Sequence, residues 1–183
     1  MNRSKAIDIT TIALFAALIS IMSPFAIPIP MSTVPISLST LALYITVYIL
    51  GTKKATLSTV IYLLLGICGI PVFAGFTGGF AKIAGPTGGF LIGYIPMVIV
   101  IGLMVDNFEN VGIRIFAYII GTMLLYTFGC FWFVLIGDGI TLAAAISMCV
   151  IPFIPGDIAK ITVTFIVCPI IKKQLNRADV SLC

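Results

Sequence analysis

The sequence contains no histidine and few charged residues. Only 9% of its 183 residues are charged, whereas a soluble globular domain carries about 25%. Hydrophobic residues make up 61% of the chain, and the mean hydropathy is +1.25. This composition excludes a soluble domain and predicts an integral membrane protein that is in contact with the lipid bilayer.

The absence of histidine also excludes several kinds of catalytic site. The five cysteines are isolated from one another, so the chain offers neither a Cys/His metal cluster nor a Cys/His nucleophile pair. It contains no phosphate-binding loop, serine triad motif or zinc-binding helix. The net charge is +4, but the basic residues occur singly or in pairs between apolar runs. This distribution does not indicate nucleic-acid binding. We therefore predict a protein that is not an enzyme and has no metal or cofactor, and any ATPase must be a separate chain.

Apolar segments fill nearly the whole chain. At about 20 residues per membrane span, there is room for about six helices and for no soluble domain. We predict an all-α, six-transmembrane-helix bundle that forms a single integral membrane domain over residues 1–183. The predicted spans cover about 7–25, 37–50, 55–72, 87–105, 113–136 and 156–171, with a short segment at 142–150 and a proline-rich loop at 26–37.

The positions of the basic residues predict the orientation, because cytoplasmic loops hold most Lys and Arg. Placing both termini in the cytoplasm puts eight of the ten basic residues on that side. The two exceptions are Lys82 and Lys160, which fall on the outer side. Their departure from the trend suggests that they bind something.

A glycine-rich segment, residues 73–94, separates the third and fourth spans. Its seven glycines predict tight turns or close approach of the backbone to another group. Phenylalanines alternate with these glycines, whereas a plain linker would be polar. A flexible connection between helices remains the alternative interpretation.

Asp157 and Lys160 lie three residues apart at the start of the last span and therefore share a helix face. Charges at the centre of a membrane helix cost about 2.5–3.5 kcal/mol each, and something must offset that cost. One interpretation is structural, with Asp157 capping the helix and the pair neutralising itself. The other is a ligand site in which Lys160 attracts a carboxylate and Asp157 accepts hydrogen bonds from N–H groups. We predict that the glycine-rich segment completes this site with Phe76, Thr77, Gly79, Thr87, Gly88, Gly89 and Tyr94.

The first span carries Ala13 and Ala17 four residues apart. Small residues at this spacing allow another helix to approach closely. The sequence leaves open whether that helix belongs to the same chain or to a separate subunit.

The runs GPTGGFLIGY at 85–94 and PGDIAK at 155–160 resemble the BioY family, the biotin-binding S components of energy-coupling factor (ECF) transporters. The resemblance implies a six-helix bundle in the cell membrane that binds biotin from the outside. It implies a transmembrane coupling subunit and two ATPase subunits as partners, with Ala13 and Ala17 facing the coupling subunit. It also implies that Asp157 and Lys160 are polar ligand contacts, whereas Lys82 has no clear counterpart in the family pattern.

The chemistry of biotin suits this predicted site. Its ureido N–H groups would donate to Asp157, and we hypothesise that its carboxylate pairs with Lys160. Two alternatives remain open at this point. One is an S component for a different vitamin, and the other is a structural membrane subunit in which Asp157 and Lys160 form only an internal pair.

Overall fold

The computed structural model describes residues 3–28, 35–137 and 139–177. This part of the chain is mostly helical, as the composition predicts. Its helices are α1 Arg3–Met22, α2 Ser39–Ile67, α3 Phe80–Ala84, α4 Gly88–Asn107, α5 Val111–Ile136, α6 Leu142–Cys149 and α7 Ile154–Arg177. Two short antiparallel strands, β1 Ala26–Ile27 and β2 Ile36–Ser37, form within the predicted proline-rich loop. Residues 29–34 of that predicted loop lie outside the described residues.

Four of these helices are long and apolar enough to cross a membrane. They are α1, α4, α5 and α7. They coincide with the first, fourth, fifth and sixth predicted spans, with boundaries that differ by a few residues. Large apolar side chains such as Leu14, Leu103, Phe131 and Ile166 are exposed on them. Exposed side chains of this kind are expected where a helix faces lipid rather than water.

Helix α2 contains a chain reversal at Gly51. In a straight helix, Ser39 and Tyr62 would lie about 34 Å apart, at 1.5 Å per residue. Instead, both side chains hydrogen-bond the hydroxyl of Ser23. The two halves of α2, residues 39–50 and 52–67, therefore run in opposite directions. The reversal falls where the sequence predicts the end of the second span.

Gly51 permits this reversal because its backbone has φ 70°, a conformation that favours glycine. Asp106 of α4 supports the turn from the other side. Its Oδ2 accepts from the Thr52 amide at 3.0 Å and from the Thr52 hydroxyl at 2.6 Å. Asp106 thus caps the N-terminus of the second half of α2, where backbone N–H groups lack helical partners.

The glycine-rich segment is folded rather than a loose connection. The predicted third span extends to residue 72, but α2 ends at Ile67 because Gly69 follows with φ 98° and stops the helix. The Gly75 amide donates to the Pro24 carbonyl at 2.9 Å, and the Gly79 amide donates to the Gly66 carbonyl at 2.7 Å. These bonds fix the segment against the ends of α1 and α2.

The alternating directions of the helices give the molecule two distinct ends. One end holds Asp8 paired with Lys54 at 2.9 Å, Asp106 with Thr52, and Arg114, which donates to carbonyls at the end of α4. The opposite end gathers the glycine-rich segment, the start of α4, α6 and the start of α7. The Asp157–Lys160 pair lies at this second end, which we call the glycine end.

Candidate ligand-binding site

Asp157 and Lys160 form a buried ion pair on the first two turns of α7. Their residues are only 4% and 8% exposed, and Lys160 Nζ lies 3.1 Å from Asp157 Oδ1. The three-residue spacing does bring the two side chains onto one helix face, as the sequence predicts. In its first-turn position, Asp157 also interacts favourably with the helix dipole.

Two further helices contribute hydroxyl groups to this pair. Tyr126 of α5 donates to Asp157 Oδ2 at 2.6 Å. Thr40 of α2 accepts from Lys160 Nζ at 2.8 Å, and its hydroxyl lies 3.5 Å from Asp157 Oδ1. A buried ion pair is tolerated only when additional hydrogen bonds satisfy its remaining donors and acceptors. The network therefore ties α2, α5 and α7 together around two charges.

A narrow cavity opens beside the pair and has two adjoining compartments. The first compartment is lined by Pro35, Ser37, Thr40, Phe90, Tyr94, Leu125, Tyr126, Phe153, Asp157 and Lys160. The second compartment is lined by Pro35, Ser37, Ser39, Phe73, Ala74, Lys82, Thr87, Phe90, Leu91 and Tyr94. The two share Pro35, Ser37, Phe90 and Tyr94, so they lie side by side. Apolar walls with a few convergent polar groups are typical of small-molecule sites.

Hydroxyl groups are concentrated where the two compartments meet. Ser37 and Ser39 hydrogen-bond each other at 2.7 Å, and Tyr94 lines both compartments beside them. Ser39 continues the chain to Ser23 and Tyr62. Because hydroxyls both donate and accept, this cluster can bind a carbonyl or an N–H group of a ligand at the centre of the cavity.

Lys82 provides the only charge among the described residues that line the second compartment. It is half-buried on α3, the five-residue helix inside the glycine-rich segment. Within residues 3–28, 35–137 and 139–177, its ammonium group has no hydrogen-bond or ion-pair partner. In the sequence, Lys82 stands out because most other basic residues fall on the predicted cytoplasmic side. The sequence does not indicate what surrounds it.

The predicted ligand residues fall into two groups. Asp157, Lys160, Thr87 and Tyr94 line the cavity. The others are not part of the lining. They are Phe76, Thr77, Gly79, Gly88 and Gly89.

The residues outside the lining have other contacts. Phe76 is 63% exposed and packs edge-on against Phe25. Thr77 closes the turn with Phe73, and Gly79 bonds the end of α2 through its amide. A Cβ atom on Gly88 would collide first with the backbone carbonyl of Ile83 in α3, and a Cβ atom on Gly89 would collide with Trp132 of α5.

Sequence reasoning missed several residues of the site. Thr40 and Tyr126 both hydrogen-bond Asp157, although they lie 117 and 31 residues before it in the sequence. No sequence pattern links these positions. Trp132 donates to the Gly85 carbonyl at 3.0 Å and so fastens the glycine-rich segment to α5. The three hydroxyl residues Ser37, Ser39 and Thr40, at the end of the proline-rich loop, are the one sequence signal that could have indicated the site.

The small residues of α1 face outward. Ala13 and Ala17 are exposed, whereas Ala16 between them is buried against the bundle. No helix within the described residues covers Ala13 and Ala17. A helix of the same chain therefore packs on Ala16, but not on Ala13 and Ala17.

Comparison with known proteins gives consistent matches along the chain. The model of the BioY family matches residues 1–177. The biotin transporter BioY of Thermotoga maritima is 36% identical over 147 residues, covering 80% of this chain and 86% of that protein. A probable biotin transporter BioY of Bacillus subtilis is 33% identical over 182 residues, covering 96% of this chain and 95% of that protein. The crystal structure of the S-component for biotin from an ECF-type ABC transporter superimposes with a TM-score of 0.85 at 28% identity, covering 94% of each chain.

Proposed function

The chain belongs to the BioY family, and from this premise we propose that it binds biotin and mediates its uptake as the substrate-specific subunit of an ECF-type ABC transporter. The observation that carries the proposal is the buried Asp157–Lys160 pair on the wall of a cavity with mainly apolar lining. The hydroxyls of Thr40 and Tyr126 hold this pair in place. The role is one of binding and transport and requires no catalytic chemistry.

The cavity offers a counterpart for each part of biotin. A carboxylate such as Asp157 accepts hydrogen bonds from ureido N–H groups, and the hydroxyls of Ser37 and Tyr94 can donate to the ureido carbonyl. Phe90 and Phe153 stack at 6.3 Å and provide an apolar wall for the sulfur-containing ring. An apolar tail requires only the remaining hydrophobic lining.

The glycine-rich segment is proposed to contribute further contacts when ligand is bound. Phe76, Thr77, Gly79, Gly88 and Gly89 do not line the cavity, so their role as ligand contacts stays a prediction. It would require this segment to move towards the cavity around the positive-φ positions Gly75 and Gly79. Thr87 and Tyr94 already lie at the cavity and need no such movement.

The chain is a multi-pass protein of the cell membrane, and we propose that residues 1–183 form one domain with six crossings and both termini in the cytoplasm. The two antiparallel halves of α2 supply two crossings in addition to those of α1, α4, α5 and α7. The concentration of basic residues at the end opposite the glycine end supports the orientation. The cavity would then open towards the outside.

We propose that the exposed face of α1 binds the transmembrane coupling subunit, which in turn associates with two ATPase subunits. Ala13 and Ala17 leave a shallow surface on which a partner helix can pack closely. This surface is separate from the cavity, which lies among α2, α4, α5 and α7. Ligand binding and subunit binding can therefore be altered independently.

The test of biotin binding is calorimetry on the purified chain in detergent with biotin, thiamine and riboflavin. We expect saturable binding of biotin alone. Binding of thiamine or riboflavin in place of biotin would reject the assignment of substrate. Absence of binding to all three would favour a structural subunit, particularly if a chain with Asp157→Lys and Lys160→Asp remained as stable as the original.

A further inference from the structure

The two compartments of the cavity differ in charge. In the first compartment, Asp157 and Lys160 neutralise each other at 3.1 Å. Among the described residues that line the second compartment, Lys82 alone is charged. The cavity as a whole therefore carries one unbalanced positive charge, located at the end away from Asp157.

Lys160 is poorly placed to receive an anionic ligand group. Two of its three N–H donors are already directed at Asp157 Oδ1 and the Thr40 hydroxyl. A second carboxylate at this position would also lie beside Asp157. Like charges in surroundings of low dielectric constant repel each other strongly.

Lys82 has the opposite properties. Its ammonium group has no acceptor within the described residues, although the side chain is half-buried in an apolar segment. A cation that has lost part of its hydration without gaining a partner is unfavourable. A ligand carboxylate would supply the missing acceptor, and the half-buried position would make the resulting pair stronger than one in bulk water.

We propose that Lys82 binds the carboxylate of biotin in the second compartment, while the uncharged ureido ring lies in the first compartment with Asp157 and Lys160. This inference rests on the proposed function and fixes the orientation of the ligand within it. It reverses the hypothesis from the sequence, in which Lys160 pairs with the carboxylate. Lys82 would then be the residue that selects the acid over its neutral derivatives.

The experiment compares biotin with biotin amide, which lacks the negative charge but keeps both rings. Affinities are measured by calorimetry for the wild type, Lys82→Met and Lys82→Arg. We expect the wild type to prefer biotin by about 10- to 100-fold, the range for a hydrogen bond to a charged group. Lys82→Met should weaken biotin to the level of the amide and leave the affinity for the amide unchanged, and Lys82→Arg should restore the preference.

Two controls locate the effect. Lys53→Met removes an exposed lysine at the opposite end of the molecule and should leave both affinities unchanged. Thr40→Val keeps every charge but removes a hydroxyl from the first compartment, so it should weaken biotin and biotin amide by the same factor. If Lys82→Met weakened both ligands equally, or if Thr40→Val abolished the preference for the acid, the orientation proposed here would be wrong.

The outcomes also separate this inference from the proposed function. A wild type that binds biotin and biotin amide equally well would overturn the role of Lys82 while leaving biotin as the substrate. A wild type that binds neither would overturn both.

Discussion

The two ends of the molecule each contain a carboxylate that joins two parts of the chain, but the surroundings of the two carboxylates differ. Asp106 is exposed and accepts from the amide and hydroxyl of a single residue, Thr52, at the turn of α2. Asp157 is 4% exposed and is held by Tyr126 and Lys160 from different positions in the bundle. Asp157 lines the first compartment of the cavity, whereas Asp106 is at the opposite end of the described part of the chain.

This difference suits Asp106 to a structural role and Asp157 to the ligand-binding role that we propose. Asp106 is exposed and accepts two hydrogen bonds from Thr52, so its charge stays next to water and needs no further partner from the bundle. Asp157 is buried, and a cation and two hydroxyls from three helices supply its partners away from water. The network around Asp157 lies beside a cavity and is the one we propose to bind the ligand, whereas Asp106 supports the turn of α2.

The largest effect that tests this comparison is expected for Asp157→Asn. The substitution leaves Lys160 buried without its counter-ion, and breaking a buried pair in this way costs about 3–5 kcal/mol. We expect a clear fall in thermal stability in detergent and a loss of biotin affinity of at least about 100-fold. Fluorescence-detected unfolding and calorimetry measure the two effects.

Two variants serve as controls for Asp157→Asn. Asp106→Asn should lower stability by about 1 kcal/mol, the usual value of a helix cap, and should leave biotin affinity unchanged. The double variant Asp157→Asn with Lys160→Met should recover stability without recovering binding. If Asp106→Asn reduced biotin affinity as strongly as Asp157→Asn, the distinction between the two ends would be wrong.

The intermediate effect is expected for Gly51→Ala at the turn of α2. Alanine is disfavoured at φ 70°, and its Cβ would lie 2.6 Å from Asp106 Oδ1. We expect the free energy of unfolding to fall by about 1–3 kcal/mol, with unchanged biotin affinity in the folded fraction. Thermal unfolding with and without biotin measures this.

Gly156→Ala is the matched control, because it lies in a helix and its Cβ would have only ordinary contacts at 3.8 Å. This substitution should not lower stability. Equal destabilisation by both substitutions would show that neither the turn at Gly51 nor its contact with Asp106 is responsible.

Much of the fold could be predicted from the sequence, because the membrane imposes strong rules. Apolar runs of about 20 residues indicate helices, and the predicted boundaries of the fourth and fifth spans lie within two residues of those of α4 and α5. The last span is predicted to end at 171, whereas α7 continues to Arg177. The prediction of a break between the second and third spans rests on Gly51 followed by Lys53 and Lys54, and the reversal occurs there. The short α3 was not predicted, because five residues between glycines carry no periodic signal.

The candidate site could be predicted only in part. Asp157 and Lys160 stand out because charge is rare in this chain and their spacing fits one helix face. Thr40 and Tyr126 could not be found in this way, since their role depends on the packing of α2 and α5 against α7. The sequence also could not show which of the seven glycines in the glycine-rich segment are needed for backbone conformation and which for close packing. Gly75 and Gly79 adopt positive φ, whereas Gly88 is required by close packing on the Ile83 carbonyl and Gly89 by close packing on Trp132.

The smallest effects are expected for a matched pair of substitutions, Thr40→Val beside Asp157 and Thr52→Val beside Asp106. Each removes one hydroxyl that contacts a carboxylate while keeping the shape of the side chain. Thr40→Val takes an acceptor from Lys160, so we expect biotin affinity to fall by about fivefold, corresponding to about 1 kcal/mol. Thr52→Val leaves its amide bonded to Asp106, so stability should fall by at most about 1 kcal/mol and biotin affinity should not change. Calorimetry and thermal unfolding on both variants distinguish these results, and a loss of affinity in Thr52→Val would mean that the turn of α2 also shapes the cavity.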